Sequence, residues 1–242
     1  MFNDPIRLSV AAELIGSTPK TLRRWDASGK LRAEHSDSGH RYYDLNQLIP
    51  YLIDIVAIGW LWATIEKANT LADEFYCERQ DRFSSRLAKF SEVLLQNESN
   101  LSDDLVSLLT LVTGEIGDNS FAHNVGNWPD VPGLFFGYDI DRRLIVLADR
   151  GRGVLTTLRQ VRAELFDDQA ALRVAFTQIL SGRDPEKRGN GLKVVRRTVQ
   201  NSQIRLRFQS GTAVVQLNQT IQRLRIRTST SPIRGTFAVI TW

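Results

Sequence analysis

An α+β fold is predicted for this 242-residue chain, built as a small module of two helices and a hairpin over residues 1–48, a helical connector or dimerisation segment over 49–100, and a two-layer α/β sandwich with a mostly antiparallel mixed sheet over 101–242. Three observations carry this reading. Two short helical patterns separated by a Gly-Ser-Thr-Pro run open the chain, helical periodicity dominates its middle, and alternation of apolar and polar residues takes over from Val131 onward. With 42% hydrophobic and 24% charged residues the composition is that of a globular protein with a real core.

In the first helix Leu8, Val10, Ala11, Leu14 and Ile15 supply the apolar face, with Ser9 as the expected N-cap and Gly16 as the stop. Ser17 or Thr18 caps a second helix that has Pro19 in its first turn, Leu22 and Trp25 pointing inward, and Gly29 at its end. Residues 35–44 follow as a turn-rich hairpin with Ser38-Gly39 at its tip, completing a winged helix-turn-helix pattern. Residues 48–65 are nearly apolar, but Pro50, Asp54 and Gly59 interrupt them, so a buried core or dimer helix is expected in preference to a membrane span. A further helix over residues 71–96 places Phe83, Leu87, Phe90 and Leu94 at the seam spacing of paired helices, with the partner either in cis or in trans.

Beyond these, residues 133–140 and 143–149 flank a polar turn at Asp141 as a strand hairpin. A long helix is expected over 154–180, then a glycine-containing loop over 183–191 leading into a helix over 192–199. The end alternates in four stretches, marked by Ile204, Leu206 and Phe208, by Val215 and Leu217, by Leu224 and Ile226, and by Phe237 and Val239, which predicts four antiparallel strands.

A single cysteine, Cys77, excludes an intramolecular disulfide, and the three histidines do not surround it at zinc-ligand spacing. The amino terminus lacks a basic segment followed by an apolar one, so a cytoplasmic location is expected. The net charge of +4 is unevenly divided: residues 1–44 carry 7 basic and 6 acidic side chains, residues 45–182 carry 12 and 19, and residues 183–242 carry 12 and 2. The last segment, at +10, suits nucleic acid, phosphate or an acidic partner, or simply a solvated arginine-rich strand face.

Four segments carry residues suited to chemistry. On a helix beginning near Leu105, Glu115, Asn119 and His123 are four apart and share one face, combining a candidate general base, a hard oxygen ligand for magnesium and a group able to reach a phosphate. Asp149, at the end of an apolar strand, can accept a hydrogen bond from an exocyclic amine, and Gly151 and Gly153 after it let a flat ligand approach the backbone. Lys187, Arg188, Gly189, Asn190, Gly191 and Leu192 form a basic loop that opens a helix, a natural seat for phosphate. Gly235-Thr236 precedes the last strand.

In order and spacing, E-x-x-x-N-x-x-x-H, D-x-G-x-G, G-x-G-L and a final G-T resemble the N box and the three glycine boxes of the histidine-kinase/gyrase-like (GHKL) ATPases, across the last 140 or so residues. The resemblance implies a sandwich of GHKL (Bergerat) type that binds ATP and Mg²⁺. Asn119 would then hold the metal and Glu115 act as base, Asp149 would read adenine, Gly189 and Gly191 would line a phosphate lid, and Thr236 would support the base end. Arg150 and Arg152 stand where small or polar residues are more usual, Asn190 stands where leucine is commoner, and Gly114 and Gly117 weaken the N-box helix. No Walker A sequence occurs.

The run Thr21-Leu-Arg-Arg-Trp25-Asp, Gly29-Lys-Leu31 and Ser38-Gly-His-Arg-Tyr-Tyr43 resembles the winged helix-turn-helix of the MerR type. This implies double-stranded DNA as partner, with Thr18, Lys20, Thr21, Arg23 and Arg24 facing the major groove and His40, Arg41 and Tyr42 in the wing meeting phosphates, while Trp25 and Tyr43 pack the small core. A homodimeric DNA-binding regulator under Mg-ATP control, able to act on a protein partner, is the leading expectation. A serine protein kinase of the anti-sigma-factor kind and a nucleotide-gated DNA-processing or defence ATPase are the alternatives.

Overall fold

The computed structural model describes residues 6–48, 51, 54–68, 71, 73–97, 101–178 and 191–242. The chain opens with β1 (Ile6–Arg7) and α1 (Leu8–Leu14). Arg7 is the N-cap and Ser9 lies inside the first turn, so α1 begins without the side-chain cap expected of Ser9. Gly16, at φ +61°, turns the chain. Thr18 then caps α2 (Pro19–Ala27), its Oγ1 accepting from the Thr21 amide at 3.2 Å. The wing is β2 (Glu34–His35) and β3 (Arg41–Tyr43), and β3 lies between β1 and β2 in a three-stranded antiparallel sheet. A short α3 (Leu45–Leu48) closes the module.

The apolar stretch at 48–65 does not form one helix. Its described part is α4 (Ile55–Thr64), started by Asp54, whose carboxylate accepts from the Val56 amide at 2.9 Å. Among the described residues no helix is long and apolar enough to cross a membrane. The helix expected from residue 71 starts only at α5 (Gln80–Asn97), because Tyr76–Cys77 (β4) are drawn into the main sheet opposite Phe135 and Leu134. The seam of α5 finds its partner in cis. Phe83, Phe90 and Leu94 are buried in one cluster with Val106, Leu109, Val112 and Ile116 of α6 (Asp103–Asn124). That seam is therefore not free to dimerise. The close fit also explains the two glycines of α6: a Cβ on Gly117 would stand 2.2 Å from the Phe83 ring, and one on Gly114 would stand 3.3 Å from Leu87.

The main sheet has the order β4, β5 (Leu134–Asp139), β6 (Leu144–Asp149), β8 (Ile226–Thr241), β7 (Arg205–Leu217), and each of these pairings is antiparallel, so the expected mixed sheet is not found. The four alternating stretches at the end make two long strands rather than four. They read as four because the pairing is broken by irregularities at Ser210, Gly211 and Ala213, with Gly211 at φ +55°. The helix expected over 154–180 is likewise two, α7 (Gly153–Arg159) and α8 (Asp168–Thr177), separated where Asp167 starts the second by accepting from the Ala170 amide at 2.7 Å. Helix α9 (Gly191–Gln200) precedes β7.

Alternate strand residues face two cores. Leu134, Phe136, Ile145, Leu147, Leu206, Phe208, Ala238 and Ile240 join the cluster of α5, α6, α8 and α9, whereas Phe135, Val146, Ala148 and Phe237 join α4 and the amino-terminal module. Helix α4 thus adds a third layer to the expected two. It comes close because Gly59 has no Cβ, which would lie 2.8 Å from Val146. Trp60 meets Phe237 edge-on at 5.2 Å.

A buried cation fixes the end of α4. Arg150 is 0% exposed, donating through Nε to Asp130 Oδ2 at 2.8 Å, through Nη2 to the Glu66 carbonyl at 3.1 Å, and through Nη1 to the Trp62 carbonyl. Nη2 also donates to Asp130. Arg150→Ala is expected to cost about 3 kcal/mol in chemical denaturation, the lower end for breaking a buried pair, since Arg234 Nη1 remains 3.5 Å from Asp130. Gly117→Ala should cost about 1–3 kcal/mol by overpacking against Phe83, despite the better helix propensity of alanine. A raised melting midpoint for Gly117→Ala would contradict the packing.

Candidate functional site

Two sets of side chains come together around α6. In the first, the pairing of β6 with β8 puts Asp149 directly opposite Thr236. Asp149 is 1% exposed, and its Oδ2 accepts from the hydroxyls of Ser120, at 2.9 Å, and Thr236. Its Oδ1 accepts from the Gly151 amide at 2.8 Å. Burial pushes the carboxyl above its ordinary range, while the donors from Thr236, Gly151 and Ser120 pull the other way. A buried carboxylate served by three donors is a fixed acceptor at the end of a strand.

Glycines crowd around it. A Cβ on Gly235 would lie 2.2 Å from Asp149 Oδ1, and one on Gly151 would lie 2.1 Å from the Asn124 amide. Gly153 and Gly235 adopt φ +73° and +62°. Asn124 ties the loop to α6, donating to the Ser120 carbonyl at 2.7 Å and accepting from the Arg152 amide at 2.9 Å. Ser210 closes the far side, accepting from the Val154 amide at 2.9 Å and donating to the Gly235 carbonyl at 3.0 Å. Against this knot lies a cleft of about 390 Å³ whose lining includes Gly151, Arg152, Gly153, Asp168, Arg234 and Gly235.

In the second set, the start of α9 meets the polar stripe of α6. A Cβ on Gly191 would stand 2.6 Å from Glu115 Oε2 and 3.1 Å from Asn119 Nδ2, so carboxylate, amide and the first turn of a helix share one point. Burial, reinforced by Asp118, raises the Glu115 carboxyl above its ordinary range, the direction a general base requires. Leu192 packs beside the main core. His123 shares the helix but its side chain is exposed, and its carbonyl accepts from Arg152 Nη2 at 2.9 Å. Lys187, Arg188 and Gly189 lie outside the described residues. Among the described residues no group of three or more His, Cys, Asp or Glu side chains could hold a metal ion.

Sequence reading passed over Ser120, Asn124 and Ser210. The first two directly follow Asn119 and His123 on α6, where the helix turns them toward the strand end. Ser210 carries no local signal, since only strand pairing brings it to Gly235.

In the amino-terminal module Thr18, Lys20, Arg23 and Arg24 are exposed on or beside α2, Thr21 is half-buried, and His40 is exposed in the wing. Arg41 and Tyr42 are half-buried on β3. Arg41 is less free than expected, because its Nε donates to Asp26 Oδ2 at 2.8 Å. Asp26 also accepts from the Ala33 amide at 3.0 Å and lies 3.5 Å from His35, so this carboxylate fixes the wing against α2. The Ala33 amide, followed by the Arg41 guanidinium, holds its carboxyl below the usual range. Trp25 packs under Lys30, whose ammonium lies 4.0 Å from the ring centroid, and Tyr43 is buried as expected.

Comparison with curated proteins returns no match to the chain. Residues 7–43, the segment from β1 through the wing, match the family model described as MerR family regulatory protein, and the chain therefore carries a MerR-family helix-turn-helix domain at its amino-terminal end.

Proposed function

We propose that the chain is a DNA-binding regulator in which residues 101–242 form a GHKL-type domain that binds and hydrolyses Mg-ATP, and that nucleotide controls how the amino-terminal module engages DNA or a protein partner. The DNA-binding half of this reading follows from the MerR-family domain and its exposed Lys20, Arg23 and Arg24. One observation supports the nucleotide half: boxes scattered over more than 110 residues converge, so that Asp149, Thr236 and Gly151 form one knot while Glu115, Asn119 and Gly191 meet one turn away on the same helix.

These residues fit a magnesium nucleotide. A bound Mg-ATP would supply the phosphoanhydride to be cleaved. At the base end Asp149 offers a fixed acceptor, and the missing side chains of Gly151, Gly153 and Gly235 let Asn124, Ser210 and Asp149 pack tightly against the loop beside the cleft. At the phosphate end the first amides of α9 are directed donors, and the Asn119 side-chain oxygen is a hard ligand of the kind magnesium prefers. Glu115, half-buried and raised in pKa, is the group able to hold a water proton.

Arg150 gives the site a route to the DNA module. It directly follows Asp149 and binds the carbonyls at the end of α4, which shares a core with the helix-turn-helix. Movement of the Asp149–Gly153 loop would therefore be felt at α4. The homodimer belongs to this proposal too, since a pair of modules is the usual way for a weakly charged reader to bind tightly.

Asp149→Asn is expected to abolish Mg-ATP binding in calorimetry while the protein still unfolds cooperatively. Glu115→Ala should retain binding and lose phosphate release by about a hundredfold or more. Fluorescence anisotropy with a mixed-sequence duplex, with and without Mg-ATP, should show affinities differing by about fivefold or more. Identical affinity and stoichiometry in both conditions would rule out the coupling.

A further inference from the structure

The outer face of the β7–β8 hairpin is a concentrated cationic surface. Residues 191–242 contain nine Lys and Arg and no Asp or Glu. Leu224 and Ile226 pack toward the main core, and so Arg225 and Arg227, two residues apart, project from the opposite face at a spacing of about 7 Å. Val214 pairs with Arg227 across the hairpin, and Gln216 follows it on the same face. Together with Arg207, Thr220 and Arg223 these residues line an open concavity of about 700 Å³. Among the described residues Arg223, Arg225 and Arg227 are exposed, and none of them pairs with a carboxylate.

This face adjoins α4, which shares a core with the DNA-binding module. Arg207 lies over the Trp60 ring of α4 at 5.7 Å, and α4 packs with the helix-turn-helix core on the same side of the sheet. The module itself is weakly charged, with 7 basic against 6 acidic side chains over residues 1–44. Phosphate neutralisation supplies most non-specific affinity for DNA, so a reader with net charge +1 needs further cations to bind at physiological salt. Planar guanidiniums flanked by hydroxyl and amide side chains match phosphate oxygens.

We propose that the β7–β8 face, through Arg223, Arg225 and Arg227, binds the sugar-phosphate backbone of the same double-stranded DNA that the amino-terminal module reads, acting as a sequence-independent clamp. The proposal rests on the DNA-binding role of the module and is independent of nucleotide.

The test compares four proteins, the wild type, two triple variants of this face and Arg23→Ala, Arg24→Ala, on a mixed-sequence duplex about 40 base pairs long, near four helical turns, with affinity followed across a salt series. The triple variant Arg223→Gln, Arg225→Gln, Arg227→Gln should lower the slope of log affinity against log salt by about 0.9 for each lost contact, about 2.7 in all, and weaken binding more than tenfold at low salt. The matching triple lysine variant should keep most of the slope. A lysine variant as impaired as the glutamine one would mean that the effect is structural and would overturn the proposal. An unchanged slope in the glutamine variant, with binding still lost in Arg23→Ala, Arg24→Ala, would overturn the clamp and leave the module's role intact. A wild-type protein that binds no duplex removes both. Polyglutamate that competes with DNA for the wild type at equal charge, and no longer binds the glutamine variant, would assign the face to an acidic protein instead.

Discussion

Between the carboxylate of Asp149 and the turn at Gly151 the chain places Arg150, a fully buried guanidinium whose donors go to Asp130 and to the carbonyls of Trp62 and Glu66. An isolated buried cation is prohibitively costly, so this side chain persists only while its acceptors stay in place. Burial lowers its pKa and Asp130 opposes that shift. The consequence is geometric. The end of α4, the Asp130 loop and the start of the Asp149 loop are held in one arrangement, and α4 in turn carries the core of the helix-turn-helix. That tie adds orientation to the apolar packing of α4 on the sheet, at the opposite end of the helix from the Asp54–Arg142 ion pair at 3.5 Å.

Around this tie the sheet has two differently used faces. One is closed by α5, α6, α8 and α9 over a large aliphatic and aromatic core. The other is covered by α4 along β5, β6 and β8, and is left open and cationic on the β7–β8 hairpin. The polar knot at Asp149 sits at the strand end where the helices of the first face stop, and it is hydrogen-bonded to α6 through Ser120 and Asn124. A polar group this buried is tolerable because three donors, from Ser120, Thr236 and Gly151, serve its two oxygens.

Most of the amino-terminal module was legible because its signals are local. Thr18, Pro19, Gly16 and Gly29 specify helix ends through their own backbone preferences, and the wing follows from Ser38-Gly39. Local signals failed where pairing decided. Tyr76–Cys77 look helical in isolation but become a strand because Leu134 and Phe135 offer ladder partners, and the terminal alternation gave four stretches where bulges join them into two strands. Gly114 and Gly117 look like helix weaknesses until Leu87 and Phe83 fill the space.

The candidate site divides the same way. Residue type picked out Glu115, Asn119, Asp149, Gly151 and Gly191 as candidates, since carboxylates, amides and permissive glycines are read from single residues, and the resemblance to the GHKL boxes added Thr236. Tertiary structure decided which of them meet. Strand register set Thr236 opposite Asp149, helix docking brought Gly191 to Glu115 and Asn119, and His123 was left exposed on the same helix. It also reversed the meaning of Arg150. By sequence an intruder in a glycine-rich loop, it points away from the cleft into α4, because a buried guanidinium goes where carbonyls and a carboxylate can satisfy it, and only the folded chain provides that place.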